Sequence, residues 1–377
     1  MAAGPAIVRS RPSTDMDPFS PEFRADPFAH YARLRELGPL VWLEKFEIWS
    51  VQHHAQVRAV LSDWERFGSR GGSGIANHFE EEPWRRPSLI LETDPPEHVR
   101  ARRILSRVLS APALEAMRPQ FEKVAASLID AALDKGEIEA VEDLVRPFPL
   151  TVFPDAVGMP PLDRDMMLKY GNIVFGAMGP VTDWYRELMR DADEVGAWID
   201  AHCDRSALTS DGLGAAIFAS ADAGEVTEDE ARLLVRSLLS AGVDTTIDSL
   251  ALALCCLVEN PDQFALLRAD PTLARNAFEE ATRYDASSHT LFRTTAREVD
   301  FEGWTIARHS KIAVFIASAG RDPTYWGDDA DRFRIERRIT SQLGYGFGIH
   351  GCVAQMMARL EAEIFFRLFA EKVAVCL

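Results

Sequence analysis

The sequence predicts a mainly α-helical protein with small β-sheets, arranged around one long central helix. Apolar residues recur at helical spacing along most of the chain, and only a few short runs have the composition of strands. From Thr227 to Asn260 the helical pattern continues without a breaker for about 33 residues, or roughly 50 Å. No internal repeat or low-complexity linker is visible, which predicts one domain over residues 1–377.

Local signals place the individual elements. Asp26 can cap a helix that starts at Pro27 and stops before Gly38. Thr227, with Glu230 three residues later, has the pattern of a capping box at the start of the long helix. The other predicted elements are hairpin strands Leu40–Leu43 and Ile48–Val51, helices at 97–109, 111–134, 163–178, 181–204 and Leu273–Tyr284, and strands Thr294–Val299 and Lys311–Ile316.

Composition excludes several classes of partner. The chain has 41 basic and 58 acidic residues, and its formal charge of −17 disfavours nucleic acids and anionic membranes as general partners. The longest apolar stretch, Leu250–Val258, is far shorter than the roughly 18 residues that span a bilayer. The N-terminus, with Arg9, Arg11 and Pro12, lacks the apolar core of a signal peptide. These observations predict a soluble, cytoplasmic protein with no membrane anchor.

The five cysteines show no zinc-binding spacing, and their odd number argues against a disulfide framework. A reducing cytoplasm fits this pattern. Two of them, Cys255 and Cys256, fall in an apolar helical stretch, where we expect them in the core. The five are Cys203, Cys255, Cys256, Cys352 and Cys376.

A glycine-rich loop, LGYGFGIHGCVA at residues 343–354, brings Cys352 to the start of the last helical pattern. Backbone N–H groups and the helix dipole at such a position favour a thiolate over a thiol. A thiolate is the axial ligand that activates haem iron for cleavage of an O–O bond. The alternative is a buried structural cysteine that follows a glycine-rich turn.

The long helix contains a run of weak helix formers, Ala241 to Thr246, in which Gly242 costs up to about 1 kcal/mol relative to alanine. One interpretation is a bend, with threonine hydroxyls bonded back to helix carbonyls. The other is a groove that admits dioxygen, with Asp244 and Thr245 as an acid–alcohol pair that relays protons. Taken alone, the run does not decide between them.

Both segments resemble signatures of the cytochromes P450. The loop matches aromatic-Gly-x-Gly-x-His-x-Cys-x-Gly except at Ala354, and the helix run matches Ala/Gly-Gly-x-Asp/Glu-Thr-Thr/Ser. Between them lies Glu280-x-x-Arg283, a structural pair in that family that supports the thiolate loop. The resemblance covers roughly residues 15–375 and implies the P450 fold, with haem b between the long helix and the cysteine loop. It implies that Cys352 is the iron ligand and that Gly242, Asp244 and Thr245 are catalytic. It also implies two sets of haem contacts. The haem propionates are contacted by His98, Arg102, Arg293 and His350, and the rest of the haem by Ala241, Phe347, Gly348 and Ala354.

Closer resemblance is to bacterial P450s that oxidise para-substituted benzoic acids, including O-demethylation of 4-methoxybenzoate. The shared stretches are 83–92, 235–242, 275–281 and 292–295. By that resemblance the carboxylate is held by Arg85, Ser88, Arg236 and Ser237. Ser237, Ala241 and Thr245 share one helix face and rise about 12 Å, so a para substituent would lie near Thr245. The alternative is that both arginines are surface charges.

Other pocket positions depart from that subgroup. Phe175 is retained, but Met178 and Leu291 stand where phenylalanine is usual, and Ser287-Ser288-His289 replaces a Pro-Val-Gln segment. The resemblance places Phe175, Met178, Ala241, Ser288 and Leu291 around the substrate, in a pocket that is wider or more adaptable. A hydroxylated or larger aromatic acid, such as a cinnamate-like one, fits this change. The family continues past Leu377 with strands that help close the pocket, so we expect this chain to lack them, which puts its activity in question.

The resemblance implies monooxygenation, in which one oxygen atom from O₂ enters a small aromatic carboxylic acid by O-demethylation or hydroxylation. No flavin or iron–sulfur motif is present, so electrons are expected from a ferredoxin and an NADH-dependent ferredoxin reductase. Arg100, Arg103 and Arg107 form a basic stripe that can dock an acidic ferredoxin, or simply a solvated face. We expect a monomer. The alternatives are a monooxygenase of a different small aromatic substrate, an H₂O₂-dependent peroxygenase, which the Asp244–Thr245 pair argues against, and a non-catalytic haem- or ligand-binding protein.

Overall fold

The computed structural model describes residues 10–161 and 164–374, so Cys376 lies outside the described residues. The fold is mainly helical with two small sheets, which confirms the predicted fold class. The helices are α1 Pro21–Ala25, α2 Pro27–Leu37, α3 His54–Ser62, α4 Glu97–Val108, α5 Ala111–Lys135, α6 Pro147–Val157, α7 Asp165–Gly176, α8 Asp183–Leu188, α9 Ala192–His202, α10 Leu213–Asp222, α11 Glu228–Ala241, α12 Asp244–Glu259, α13 Pro261–Ala269, α14 Ala274–Tyr284, α15 Ile316–Gly320, α16 Pro323–Trp326 and α17 Gln355–Lys372.

The larger sheet has six strands in the order β1-β2-β3-β8-β5-β4, and β6 pairs with β7 in a separate hairpin. The antiparallel β2–β3 pairing confirms the predicted first hairpin. The strand predicted at 294–299 is wrong, because the chain leaves the sheet at Thr295 and turns through polar residues before β6. The strands are β1 Ser13–Thr14, β2 Val41–Leu43, β3 Ile48–Val51, β4 Phe67–Gly68, β5 Thr290–Thr295, β6 Val299–Phe301, β7 Trp304–Ile306 and β8 Lys311–Phe315.

Caps form where the sequence signals them. The Asp26 side chain accepts a hydrogen bond from the Ala29 N–H, with Pro27 in the first helical position of α2. Thr227 and Glu230 form both bonds of the capping box, at 3.1 and 2.9 Å. The single helix predicted over 181–204 is wrong. It divides into α8 and α9 around a 3₁₀ turn, and none of the α8 residues is buried, so packing does not hold the two together.

The long central helix is interrupted at Gly242 and Val243, so the prediction of one continuous helix is wrong. The Thr245 hydroxyl donates to the Ala241 carbonyl at 2.7 Å, and the Thr246 hydroxyl donates to the Gly242 carbonyl at 3.0 Å. These side chains satisfy carbonyls that the break exposes. A Cβ atom at position 242 would overlap the Phe153 ring of α6, so tertiary packing also requires glycine here.

The two central helices lie in the largest apolar core cluster, together with α5, α6 and α17. Residues Glu228–Glu259 are nevertheless long and apolar enough to cross a membrane, contrary to the sequence-based expectation. Core helices of soluble proteins have the same length and composition, and these two helices lie in the core cluster. Cys256 is buried in α12 as predicted, but Cys255 is exposed, because it lies off the buried stripe of that helix.

Candidate active site

A cavity of about 670 Å³ lies between the break in the central helix and the Cys352 loop. The helix contributes Ala241 and Gly242 to its wall, and the loop contributes Cys352. The structure therefore brings the two main sequence signatures to one space. The other predicted site residues on this wall are Arg102, Phe175, Met178, Ser237, Asp244, Thr245, Ser288, Leu291, Arg293, His350 and Ala354.

The cysteine loop has a backbone that only glycine adopts easily. Gly346 and Gly348 have φ values of +69° and +70°, and a side chain at Gly348 would also collide with the Leu61 carbonyl. The Cys352 N–H donates to the Tyr345 carbonyl at 2.8 Å and closes the loop just before α17. Ala354 has a φ of −94°, so this position tolerates alanine where the family pattern has glycine.

Burial, rather than the helix terminus, dominates the chemistry of the Cys352 sulfur. Burial raises the pKa of this thiol, and the N–H groups of Ala354 and Gln355, with Arg102 and Arg359, offset only part of the increase. The prediction that the loop alone favours a thiolate is therefore wrong, because desolvation of the charge outweighs these dipoles. A bound metal ion deprotonates a coordinating thiol outright, so the sulfur still suits haem iron.

Unpaired cationic and donor groups stand on the cavity wall. Arg293 is 6 % exposed, and its guanidinium donates to the Phe292 carbonyl at 2.7 Å but has no ion-pair partner among the described residues. Burial lowers its pKa to about 10. A buried cation without a counterion is costly, so the site is incomplete without an anion. The two propionates of haem supply such anions.

His98 lies beside this cation and is also incompletely bonded. It is 1 % exposed, and its Nε2 has no hydrogen-bond partner among the described residues. Burial, followed by the nearby charges of His350 and Arg102, lowers its pKa to about 4, so the ring is neutral. An orphaned ring nitrogen next to an unpaired guanidinium fits a propionate-binding cradle. The residues present therefore fit haem.

His350 is held by a carboxylate that sequence reasoning missed. Its Nε2 lies 3.3 Å from Asp94 Oδ1, its Nδ1 lies 3.2 Å from the Ile90 carbonyl, and its ring centroid is 4.2 Å from that of His98. Although burial acts to raise it, hydrogen bonds from His350 and from two backbone N–H groups keep the pKa of Asp94 below its usual value. The Asp-Pro-Pro sequence just before α4 was the feature of the sequence that could have indicated a role for Asp94.

The structure does not bring every predicted haem contact to the cavity wall, since His98, Phe347 and Gly348 are not among the residues that line it. The Arg58 guanidinium lies over the Phe347 ring, with its Cζ atom 4.7 Å from the ring centroid, and Gly348 packs against the Leu61 carbonyl. Both residues therefore face α3, behind the loop. The propionate candidate Arg102 lines the cavity and donates to the Gly351 carbonyl, so it ties α4 to the cysteine loop.

Glu280 and Arg283 form a fully buried ion pair on α14, at 2.7 and 2.8 Å. Arg283 also donates to the carbonyls of Gly320, Ala330 and Arg332, at 2.6, 2.8 and 3.0 Å. The pair thus fixes the segment that runs from α15 toward the cysteine loop. Its isolated sequence pattern gave no indication of this burial.

Asp244 has the most unusual carboxyl environment near the helix break. Neither of its oxygens has a hydrogen-bond partner among the described residues. Burial, and then the charge of Asp248, raise its pKa to about 7, while Arg146 opposes the increase. The carboxyl can therefore hold and release a proton near neutral pH. α7 approaches so closely that a side chain at Gly171 would overlap this carboxylate.

The predicted carboxylate clamp is only partly assembled. The Ser88 and Ser237 hydroxyls lie 3.1 Å apart, and Ser237 lines the cavity. Arg85 Nη2 instead lies 3.3 Å from Glu92, and Arg236 donates to the Arg86 carbonyl at 2.8 Å. Neither guanidinium lines the main cavity. Neither is a solvated surface charge, because their side chains are only 12 % and 8 % exposed.

Sequence reasoning also missed Glu361 on α17. This residue is fully buried, lines the cavity, and has no hydrogen-bond partner for either carboxylate oxygen among the described residues. Burial raises the pKa of this carboxyl well above the usual value, because no described partner offsets the desolvation of the charge. The apolar periodicity of α17, which includes Met357, Leu360 and Ile364, could have placed it on the buried face.

Comparisons with known proteins agree with this arrangement. A sequence model of the family "Cytochrome P450" matches residues 203–372. The chain is 45 % identical to cytochrome P450 CYP199A2 of Rhodopseudomonas palustris, over 96 % of this chain and 88 % of that protein. It is 32 % identical to the cytochrome P450 monooxygenase PikC of Streptomyces venezuelae, over 96 % and 88 %.

Solved structures share the fold. Cytochrome P450 CYP109Q5 from Chondromyces apiculatus superposes with a TM-score of 0.77 at 25 % identity, over 93 % of this chain and 89 % of that one. The predicted fold, the haem b cofactor and the monooxygenase class are therefore confirmed. By its sequence relatives, its fold and the haem cradle around Cys352, the chain belongs to the bacterial cytochromes P450.

Proposed function

We propose that this P450 inserts one oxygen atom of O₂ into a small aromatic carboxylic acid, by O-demethylation or hydroxylation. It acts in the cytoplasm as a monomer, with electrons from a ferredoxin and its NADH-dependent reductase. The observation that carries the substrate class is the Ser237 hydroxyl on the wall of a largely apolar cavity, with the hydroxyl of the buried Ser88, which does not line that cavity, 3.1 Å from it. The 45 % identity to CYP199A2 supports the same assignment.

Two arginines contribute positive charge near that end of the cavity, although Arg85 is paired with Glu92 at 3.3 Å and Arg236 with Asp200 at 3.5 Å. Burial raises the pKa of Tyr170, and Arg236 and Arg85 both oppose that increase, so both charges act on the same buried region. The Ser237 hydroxyl lines the cavity and now donates to the Leu233 carbonyl at 2.8 Å, so it must turn to donate to a carboxylate. The two guanidiniums do not line the cavity, so their charges act on the ligand from a distance. Such indirect charge stabilises an anion because the surroundings are largely desolvated.

The cavity then orients the rest of the substrate. Ser237, Ala241 and Thr245 follow one another along the same wall, so an acid held at Ser237 extends toward the helix break. Phe153, Phe175 and Leu238 supply apolar wall that excludes water. A para substituent would therefore lie close to Thr245 and the cysteine loop.

Bound haem supplies the activation of dioxygen and the oxidising power. The chain supplies positioning and protons. Asp244, with a pKa raised to about 7, can release a proton into the cavity at neutral pH and regain one from solvent. The neighbouring Thr245 hydroxyl, now donated to the Ala241 carbonyl, is placed to pass that proton on by turning toward the cavity.

Binding of acids and esters tests the substrate class. Aromatic acids and their matched methyl esters are titrated into the haem-loaded protein, and the Soret shift is followed. Acids should bind more tightly than esters, and Ser237→Ala should remove most of that preference. Ser240→Ala is the matched control, because among the described residues its hydroxyl bonds only to the Ser237 carbonyl, at 3.4 Å. Equal shifts with acids and esters would show that the carboxylate site is wrong.

The electron partner requires a narrower docking proposal than the sequence indicated. Arg100 is paired with Glu230, and Arg107 is paired with Glu225 at 2.8 Å, so much of the stripe is neutralised. Arg103 is exposed and has no ion-pair partner among the described residues. Arg103→Glu should slow ferredoxin-supported turnover and weaken its dependence on salt, whereas Arg33→Glu, exposed on α2, should not. Unchanged rates for Arg103→Glu would remove this docking site.

The same assay separates the alternatives. Turnover with NADH, ferredoxin and its reductase is compared with turnover in H₂O₂ alone, and substrate-dependent O₂ consumption is recorded. Faster turnover with H₂O₂ would indicate a peroxygenase. No O₂ consumption with any bound acid would indicate a non-catalytic binding protein.

A further inference from the structure

A row of polar side chains, residues 287–290, forms one wall of the cavity. It follows α14 and leads into β5, and all four side chains are half-buried. Around them the wall is largely apolar and includes Phe153, Phe175, Leu238 and Leu291. A polar strip on an apolar wall orients a ligand that carries a matching group.

The Ser287 and Ser288 hydroxyls differ from the other hydroxyls of this wall. Among the described residues, neither has a hydrogen-bond partner in the protein, although each hydroxyl can donate one bond and accept two. The other serine hydroxyls and three of the threonine hydroxyls on the wall already donate to a protein oxygen. These are Ser73 to Glu92, Ser237 to Leu233, Thr245 to Ala241, Thr246 to Gly242, Ser249 to Thr245 and Thr282 to Phe278.

The next residue, His289, fixes this strip in place. Its Nε2 lies 2.9 Å from Asp285 Oδ1, and its Nδ1 lies 3.4 Å from the Tyr31 hydroxyl. The His289 carbonyl also accepts from the Ala317 N–H at 3.3 Å. The two serine hydroxyls are therefore presented by a held backbone, so a ligand loses little affinity to ordering them.

We infer that Ser287 and Ser288 form a second polar subsite, which binds a hydroxyl or ether oxygen on the ring of the substrate. This inference rests on the proposed function and narrows it to aromatic acids that carry an oxygen substituent in addition to the one being oxidised. Serine hydroxyls both donate and accept, so either a phenol or a methoxy oxygen satisfies them. An aromatic acid without that oxygen leaves both hydroxyls without a partner when water is displaced.

Two acids that differ by one hydroxyl test the subsite. The dissociation constants of 4-methoxybenzoate and 3-hydroxy-4-methoxybenzoate, and of their methyl esters, are measured from the Soret shift. The wild-type protein should bind the hydroxylated member of each pair about two- to tenfold more tightly, the factor expected for one net hydrogen bond. The double variant Ser287→Ala, Ser288→Ala should bind both members equally.

Ser249→Ala is the matched control, because it removes a wall hydroxyl that is already donated to the Thr245 carbonyl. It should retain the wild-type ratio. The inference is overturned if the wild-type protein shows no preference, or if the preference survives in the double variant. Esters that bind as well as acids would disprove the carboxylate site alone, since the hydroxyl ratio can still be read from the esters. No Soret shift with either series would overturn both proposals.

Discussion

Glu280→Gln is the substitution that most sharply tests the role of the buried ion pair on α14. It keeps the shape of the side chain but leaves the Arg283 guanidinium, which is 0 % exposed, without a counterion. Breaking a buried pair from one side costs about 3–5 kcal/mol. We expect the lower part of that range, because Arg283 keeps three carbonyl acceptors. Glu280 also accepts the Arg334 N–H at 2.9 Å and pairs with Arg337 at 3.1 Å, so the substitution should loosen the segment before the cysteine loop.

The matched control has the same spacing on the surface. Asp183 and Arg186 are also three residues apart on a helix and lie 2.7 Å apart, but both side chains are exposed. Asp183→Asn should therefore leave stability unchanged within error. The urea midpoint and the fraction of haem retained on gel filtration are measured for both variants. If Glu280→Gln lowers the midpoint no more than Asp183→Asn, the structural role assigned to the buried pair is wrong.

Three further substitutions, one of them tested with a compensating second substitution, probe the site itself. The pKa of Asp244 is raised from 3.8 to about 7, so the native state holds a proton that the unfolded chain releases, and stability should fall as pH rises between these values. A difference of about three pKa units corresponds to a change of at most about 4 kcal/mol in the free energy of unfolding. Asp244→Asn should abolish this part of the pH dependence, as measured by urea unfolding at several pH values. An unchanged pH profile would contradict the burial argument. Arg293→Met should raise the melting temperature of the apoprotein, by removing a buried cation without a counterion, yet speed haem loss to apomyoglobin; unaltered haem loss would exclude the propionate contact. Gly242→Ala should cost about 1–3 kcal/mol through overlap with Phe153, and Phe153→Leu should recover part of the lost urea midpoint; no loss in the single variant would show that packing does not require glycine there.

Local signals predicted the parts of the fold that depend on neighbouring residues. The Asp26 cap and the Thr227–Glu230 capping box form as expected, because their bonds span three residues. The break in the central helix was harder to predict. Weak helix formers marked its position, but the need for glycine at 242 comes from Phe153, a residue about 90 positions away that packs on it through tertiary structure.

The candidate site likewise has features that the sequence predicted and features that depend on tertiary structure. The signatures predicted that Cys352, Gly242 and Thr245 share one cavity. They did not predict that Arg236 would donate to the Arg86 carbonyl, because that partner is 150 positions away in sequence. The thiol pKa of Cys352 was also misjudged, since burial is set by the whole fold rather than by the loop. The single-domain organisation of residues 1–377 stays a prediction.

Ligation of haem iron by the sulfur of Cys352 is the central claim, and one spectrum tests it directly. The haem-loaded protein is reduced under carbon monoxide, and the position of the Soret band is recorded for the wild type and for Cys352→His. The wild type should show the strongly red-shifted band of a thiolate-bound carbonyl complex, from which the family takes its name. Cys352→His should keep haem but lose that band. A fully loaded wild type without the band, or a Cys352→His variant that retains it, would contradict the account.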